Sequence, residues 1–227
     1  MLKVLESFLG RGNQESGKGG LNKKQQAELD WWVSTHNTRP HTRLWATKCV
    51  FELAGPILGL AELDDWYAFL TNKTMLDLCC GPEPWEPEVK PAALIYYDWL
   101  VEGYDQYDML TPMPGRVYVT GPAEKMPFAK DSFDFVHFEN ALDHVDDPQR
   151  AVSELRRVVR CGGYVYLGID IGGVASECEP HVFERCDLDV LFDDFELLGE
   201  QEGLPDKPAY NPIDKRSCVR RLYRVPS

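Results

Sequence analysis

From Thr74 onward, short apolar runs alternate with polar stretches rich in helix formers. TMLDLC, AALIYYD, VYVT, FDFVHF and YVYLGID have the length of strands and are bounded by Gly, Pro or Asp. Between the last two, Ala151, Val152, Leu155, Val158 and Val159 recur at i, i+1, i+4, i+7 and i+8, which makes one apolar face of a helix. Asp147 is placed to cap that helix, Pro148 suits its first position, and Cys161-Gly162-Gly163 should end it. Two late runs, FELLGE and SCVRRLYRV, predict an antiparallel hairpin closing the sheet. The alternation as a whole predicts an α/β fold, a doubly wound, Rossmann-like, seven-stranded and mostly parallel sheet.

Ahead of this pattern the text differs. Residues 10–24, GRGNQESGKGGLNKK, are rich in Gly and charge and predict a flexible N-terminal tail over 1–24. Residues 25–70 read as a small helical cap, and 71–227 as the main domain. Within the cap, Arg43 to Leu53 reads as a helix ended by Gly55-Pro56, and Asp64 to Leu70 as a second short one. Trp31, Trp32 and Trp45 form either a lid over a ligand or a hydrophobic patch that holds the cap on the sheet. No internal repeat is visible.

Composition narrows the function classes. The 227 residues fit one domain, with 44% hydrophobic residues to build its core. With 37 Asp and Glu against 24 Lys and Arg, the net charge of −13 argues against binding bulk nucleic acid. No window approaches the ~18–20 apolar residues of a membrane span, and the first residues lack a signal-peptide core. No membrane association and a cytoplasmic location are expected. Seven cysteines without a C-x-x-C pair fit neither a disulfide framework nor a zinc ribbon, and are read as mostly buried small hydrophobes.

Candidate chemistry lies at the strand ends, where doubly wound sheets bind ligands. The first strand runs into Asp77-Leu78-Cys79-Cys80-Gly81, and the second ends at Asp98, 21 residues after Asp77. A carboxylate at that separation suits a pair of ribose hydroxyls, although Asp at a strand end also serves as a turn or helix cap. The loop CCGPEPWEPEVKP lacks the three glycines of a dinucleotide site, and its carboxylates would repel phosphate. A nucleoside without phosphates, and preferably a cation, remains.

At this point the motifs resemble those of class I S-adenosylmethionine-dependent methyltransferases. TMLDLCCGP is similar to the first motif of that family. Ala123-Glu124 before Met126-Pro127-Phe128, Ser132-Phe133-Asp134, Asn140 to Val145 and Arg157 to Gly163 are similar to its later motifs, in order. The resemblance implies S-adenosyl-L-methionine as cofactor and S-adenosyl-L-homocysteine as product. It implies Asp77, Cys79 and Gly81 at the amino-acid end, with Asp77 acting through water or on the ammonium. It implies Asp98 on the ribose, Trp99 on an adenine face, Ala123 and Glu124 at the adenine edge, and Asn140-Ala141 passing under the sulfonium. The chain departs from the family where Cys79 and Glu83 replace glycines and Pro122 replaces an acidic residue.

For the acceptor side, His144, Asp170 and His181 are the candidate catalytic residues, with Glu139 a weaker one. No metal is expected. With a short cap and no recognition domain in view, the expected reaction is methylation of an O or N atom on a small molecule. The expected partner is that acceptor, and a homo-oligomer is compatible with the reading. The alternative is a methyltransferase-like binding or scaffold subunit with weak or no turnover, motivated by the altered first motif.

Overall fold

The computed structural model describes residues 21–35, 43–82, 85, 91–110, 117–203, 210–211 and 216–227. The tail expected over residues 1–20, the carboxylates of the loop after Pro82 and the Trp45 side chain lie outside the described residues.

Among the described residues three helices come first: α1 (Lys23–Thr35), α2 (Arg43–Ile57) and α3 (Leu63–Leu70). Asn22 and Gln25 bond reciprocally, each side-chain oxygen accepting from the other's backbone N–H at 2.9 and 2.8 Å. This capping box starts α1 two residues inside the segment read as tail. The predicted stop at Gly55-Pro56 falls short. Helix α2 continues to Ile57 because the chain turns only at Gly59, with φ +73, where Leu60 N–H returns to the Gly55 carbonyl and Gly59 N–H to that of Pro56.

The sheet follows. Strands β1 (Thr74–Leu78), β2 (Ala93–Asp98), β3 (Val117–Thr120), β4 (Phe133–Glu139) and β5 (Val159–Gly172) are mutually parallel. Strand β6 (Glu196–Glu202), the two-residue β7 (Tyr210–Asn211) and β8 (Arg216–Arg224) complete it, with β8 antiparallel between β5 and β6. The seven-strand path is β3-β2-β1-β4-β5-β8-β6, with β7 pairing β8 to one side. Four of the five residues of β1 are buried, as a central parallel strand covered on both faces requires.

Helix α4 (Val101–Gln106) follows β2, a single 3-10 turn spans Ala123–Lys125, α5 (Pro148–Val158) joins β4 to β5, and α6 (Arg185–Leu191) precedes β6. Asp147 caps α5 by accepting from Arg150 N–H at 3.0 Å. Ala151, Val152, Leu155 and Val158 are all buried against the sheet. Val159 is buried too, but as the first residue of β5: the turn out of the helix comes earlier than the Gly162-Gly163 stop. Arg220 and Arg221 on β8 are buried, and Arg220 donates to the Cys49 carbonyl and ties α2 to the sheet. Of the cysteines only Cys49 and Cys80 are buried, Cys161 and Cys186 are exposed, and none forms a disulfide.

Candidate functional site

Strand order reverses at β1, which has β2 on one side and β4 on the other, and this leaves a crevice beyond the carboxyl ends of the strands. A cavity of about 520 Å³ lies there, within the size range of small-molecule sites. Helix α1 lies across it. Glu28, Trp31 and Trp32, at i, i+3 and i+4, line the cavity, while Leu29 is buried with Leu100, Tyr104 and Met109 beside α4. Docking relies on Gly103, where a Cβ would stand 2.9 Å from Leu29 Cδ2. Lys24 fastens the other end: its Nζ donates to the His144 carbonyl at 2.7 Å and to Asp146, and lies 4.7 Å from the centre of the Trp99 ring.

The carboxylate at the end of β2 is held from two sides. Asp98 Oδ2 accepts from Gly81 N–H at 3.0 Å and Oδ1 from Leu100 N–H at 2.7 Å. Burial pushes its pKa up to about 6 against the pull of those two donors. Gly81 has φ +60 and leaves its open side to the Trp32 ring, at 3.4 Å from where a Cβ would sit. Cys79 has φ +53, a left-handed conformation at the position where the family usually has glycine. Glu28 faces this group from α1, and burial, followed by the nearby Asp98 charge, pushes its carboxyl up to about 8.

The end of β1 is internally bonded. Asp77 and His137 are register partners on β1 and β4, so their side chains share a face. Asp77 Oδ1 meets His137 Nδ1 at 2.7 Å, Oδ2 accepts from Trp85 N–H at 2.7 Å, and His137 Nε2 reaches Glu139 at 3.1 Å. Burial would push the imidazole down, but the Asp77 and Glu139 carboxylates bonded to it prevail and hold its pKa at about 9. Trp85 also donates its indole N–H to Thr47 at 3.2 Å, which fastens Trp85 to α2.

Asp77, Cys79, Gly81, Asp98, Trp99, Ala123, Glu124, Asn140 and Ala141 all line this cavity, with His144, Asp170 and Glu139. Two of these side chains carry internal bonds. Both oxygens of Asp77 are already bonded within the protein, and Glu124 Oε1 accepts from the backbone N–H groups of Asp146 and Asp147, at 2.6 and 3.0 Å. His181 is a correction: it is not among the cavity-lining residues, and its Nε2 donates to the Val145 carbonyl at 3.0 Å, holding the loop after β4. Tyr97 and Tyr104 are buried in the core and do not line the cavity. Sequence reasoning missed Glu28, Trp85 and His137. The Asn22-x-x-Gln25 box and the spacing of Glu28 with Trp31 and Trp32 were available as signals for the first; His137 sits inside an apolar strand run and carried none.

The lining is rich in carboxyl groups, with His137, held at a pKa of about 9, as the cationic side chain among them. Seven carboxylates (Glu28, Asp77, Asp98, Glu124, Glu139, Asp170 and Glu179) face it, and among the described residues no Lys or Arg does. Such a wall disfavours phosphate and favours a cation, so a phosphate-free adenosine bearing a sulfonium and an ammonium fits the residues present.

Comparison with known proteins points the same way. A family model described as "Methyltransferase domain" matches residues 100–167. The demethylmenaquinone methyltransferase of Bacillus velezensis is 35% identical over 100 residues, covering 40% of this chain and 42% of that protein. An uncharacterized methyltransferase of Schizosaccharomyces pombe is 44% identical over 45 residues, 20% of this chain and 16% of that protein. The matched segments thus span well under half the length of these relatives. Among solved structures, a putative methyltransferase in complex with the Trm112 methyltransferase activator of Haloferax volcanii superposes with a TM-score of 0.64 at 13% identity, over 92% of this chain and all of that one. An S-adenosylmethionine-dependent methyltransferase from Mesorhizobium loti gives 0.55 at 17% identity, over 74% of this chain and 99% of that one. Residues 100–167 are thus similar to a methyltransferase domain, and the strand order carries the fold of these methyltransferase structures.

Proposed function

We propose that this protein transfers the methyl group of S-adenosyl-L-methionine to an O or N atom of a small-molecule acceptor. The observation that carries the reading is the phosphate-excluding, carboxylate-lined cavity with Asp98 held at the end of β2. When bound, the cofactor supplies an electrophilic methyl on a sulfonium, and the protein's share of the work is positioning, exclusion of water and handling of the acceptor proton.

Each share has a residue. Asp98 accepts from the two ribose hydroxyls while Gly81 and Leu100 N–H groups hold it still. Trp99 covers one face of the adenine, and the backbone at Ala123 meets its edge, because Glu124 Oε1 is committed to the start of α5. At the amino-acid end the cavity offers the carboxylates of Glu139, whose Oε2 meets His137, and of Asp77, whose oxygens are bonded to His137 and Trp85. Asn140, with φ +50, turns the backbone of the loop after β4 toward the position of the sulfonium. Helix α1, fastened by Lys24, covers the cavity and keeps water from the reacting atoms. Asp170, near the end of β5, lies on the acceptor side and is the group to take the proton of a hydroxyl or ammonium acceptor.

Calorimetry on the full chain with S-adenosyl-L-homocysteine tests the reading, followed by transfer of labelled methyl to a panel of small hydroxyl and amine acceptors. Micromolar binding is expected; absence of binding at millimolar ligand in a folded preparation overturns it. A second reading, a binding or scaffold subunit with weak or no turnover, is favoured by the commitment of Asp77 to internal bonds. Cofactor binding without transfer to any acceptor, together with a co-purifying protein, would select it.

A further inference from the structure

On the acceptor side of the cavity three potential ligands converge from two loops. Asp143 and His144 follow β4, and Glu179 follows β5; one donor atom from each lies within 4.8 Å of the other two. The loops are set by their own backbone. His144 N–H returns to the Ala141 carbonyl at 3.0 Å, while Ser176 N–H bonds the Glu179 carbonyl at 2.9 Å and Glu179 N–H the Ser176 hydroxyl at 3.1 Å. Arg216 donates to Glu179 Oε2, which turns Oε1 toward His144 Nε2 at 3.8 Å.

What the cluster lacks is hydrogen bonds among its own atoms. Asp143 is 3% exposed, yet its Oδ1 is buried with no hydrogen-bond partner among the described residues, and both ring nitrogens of His144 likewise lack a hydrogen-bond partner. Carboxylates stand on both sides of that imidazole, Glu28 at 3.7 Å and Glu179 at 3.8 Å, too far to accept a hydrogen bond. Buried polar atoms left this way are costly, which makes the arrangement unusual for a purely structural cluster. Two ligands ~2.1 Å from one ion are ~3.0–3.4 Å apart, so the His144–Glu179 pair at 3.8 Å would contract by about half an ångström and Asp143, within 4.8 Å of both, by up to about 1.8 Å to close around a cation.

We infer that Asp143, His144 and Glu179 form a binding site for a first-row divalent transition-metal ion, open toward the cavity. One imidazole and two carboxylate oxygens suit Mn²⁺, Co²⁺ or Zn²⁺ better than Ca²⁺ or Mg²⁺. Arg216, bonded to the second oxygen of Glu179, orients that ligand from behind. Because His144 and Glu179 line the cavity, the remaining coordination positions face the space where an acceptor would sit. If the proposed methyl transfer holds, the ion would bind an acceptor oxygen and lower its pKa, and His144, as a ligand, would leave proton transfer to Asp170.

The full chain, treated with chelator and dialysed, is titrated with Co²⁺ alone and followed by visible absorption, with Mn²⁺ binding followed by electron paramagnetic resonance. The expected result is one equivalent of Co²⁺ with ligand-field bands, displaced by Zn²⁺, and at least a tenfold loss of affinity in Asp143→Asn, His144→Gln and Glu179→Gln. Circular dichroism and S-adenosyl-L-homocysteine calorimetry on the same samples check folding and the cofactor pocket separately. No stoichiometric binding of any of the three ions overturns the site, as does equal binding by wild type and all three variants. If the metal is absent but the homocysteine ligand still binds, the site fails while the methyltransferase reading stands.

Discussion

Gly81 donates its backbone N–H to Asp98 Oδ2 at 3.0 Å, so the loop after β1 and the end of β2 are bonded to each other at the mouth of the cavity. Replacing Asp98 by Ala removes the acceptor for this donor and for Leu100 N–H. The expected cost is about 1–3 kcal/mol of stability in urea titrations and more than a tenfold loss of S-adenosyl-L-homocysteine affinity by calorimetry. Unchanged affinity in a folded Asp98→Ala protein would show that the ribose binds elsewhere.

The same carboxylate sets a pH dependence. Its folded pKa of about 6 lies above the ordinary value of 3.8, so the buried charge is an energetic penalty at neutral pH that protonation relieves. Stability of the ligand-free protein therefore gains from Asp98 as pH falls through about 6 toward the unfolded value. Cofactor affinity moves the other way, since the ribose needs the ionised form: it should be flat above pH 7 and weaken roughly tenfold per unit well below 6. A flat profile from pH 8 to 5 would rule this out.

Cys79 sits at φ +53, where a side chain is strained and glycine is not. Relief of that strain in Cys79→Gly is offset by the greater freedom of the unfolded chain, so stability should stay within about 1 kcal/mol of wild type with cofactor binding retained. The β-branched Cys79→Val should lose about 2 kcal/mol or more. Thermal melts of the two variants side by side provide the measurement; equal melting temperatures would contradict the argument.

Lys24 joins α1 to both walls of the cavity through the His144 carbonyl, Asp146 and the Trp99 ring. Its side chain is only 13% exposed, so the contacts are poorly screened. In Lys24→Met the amides of residues 23–35 should exchange with solvent roughly tenfold faster, a loss of ~1.4 kcal/mol in local stability, while those of β1 and β4 stay protected. Exchange unchanged across α1 would mean that Leu29 and its neighbours alone hold the helix.

The strands and the α5 helix were legible because their signal is local. Ala151, Val152, Leu155 and Val158 share a face by helical spacing alone, and an apolar run such as TMLDL is buried wherever a parallel sheet places it. The ordered motifs likewise brought nine cofactor candidates to one cavity, because strand ends in this topology share one edge of the sheet. Which of those groups remains available to a ligand was a different matter. Asp77 is engaged by His137, 60 residues away, His181 by the Val145 carbonyl 36 residues back, and the loop after His144 by Lys24 at a separation of 120. Sequence determined the elements and the edge of the sheet where chemistry gathers, through periodicities that neighbouring residues impose on one another. Tertiary structure alone decided the partners of each carboxylate, because hydrogen bonds form between atoms brought within 3 Å and no local pattern encodes that proximity.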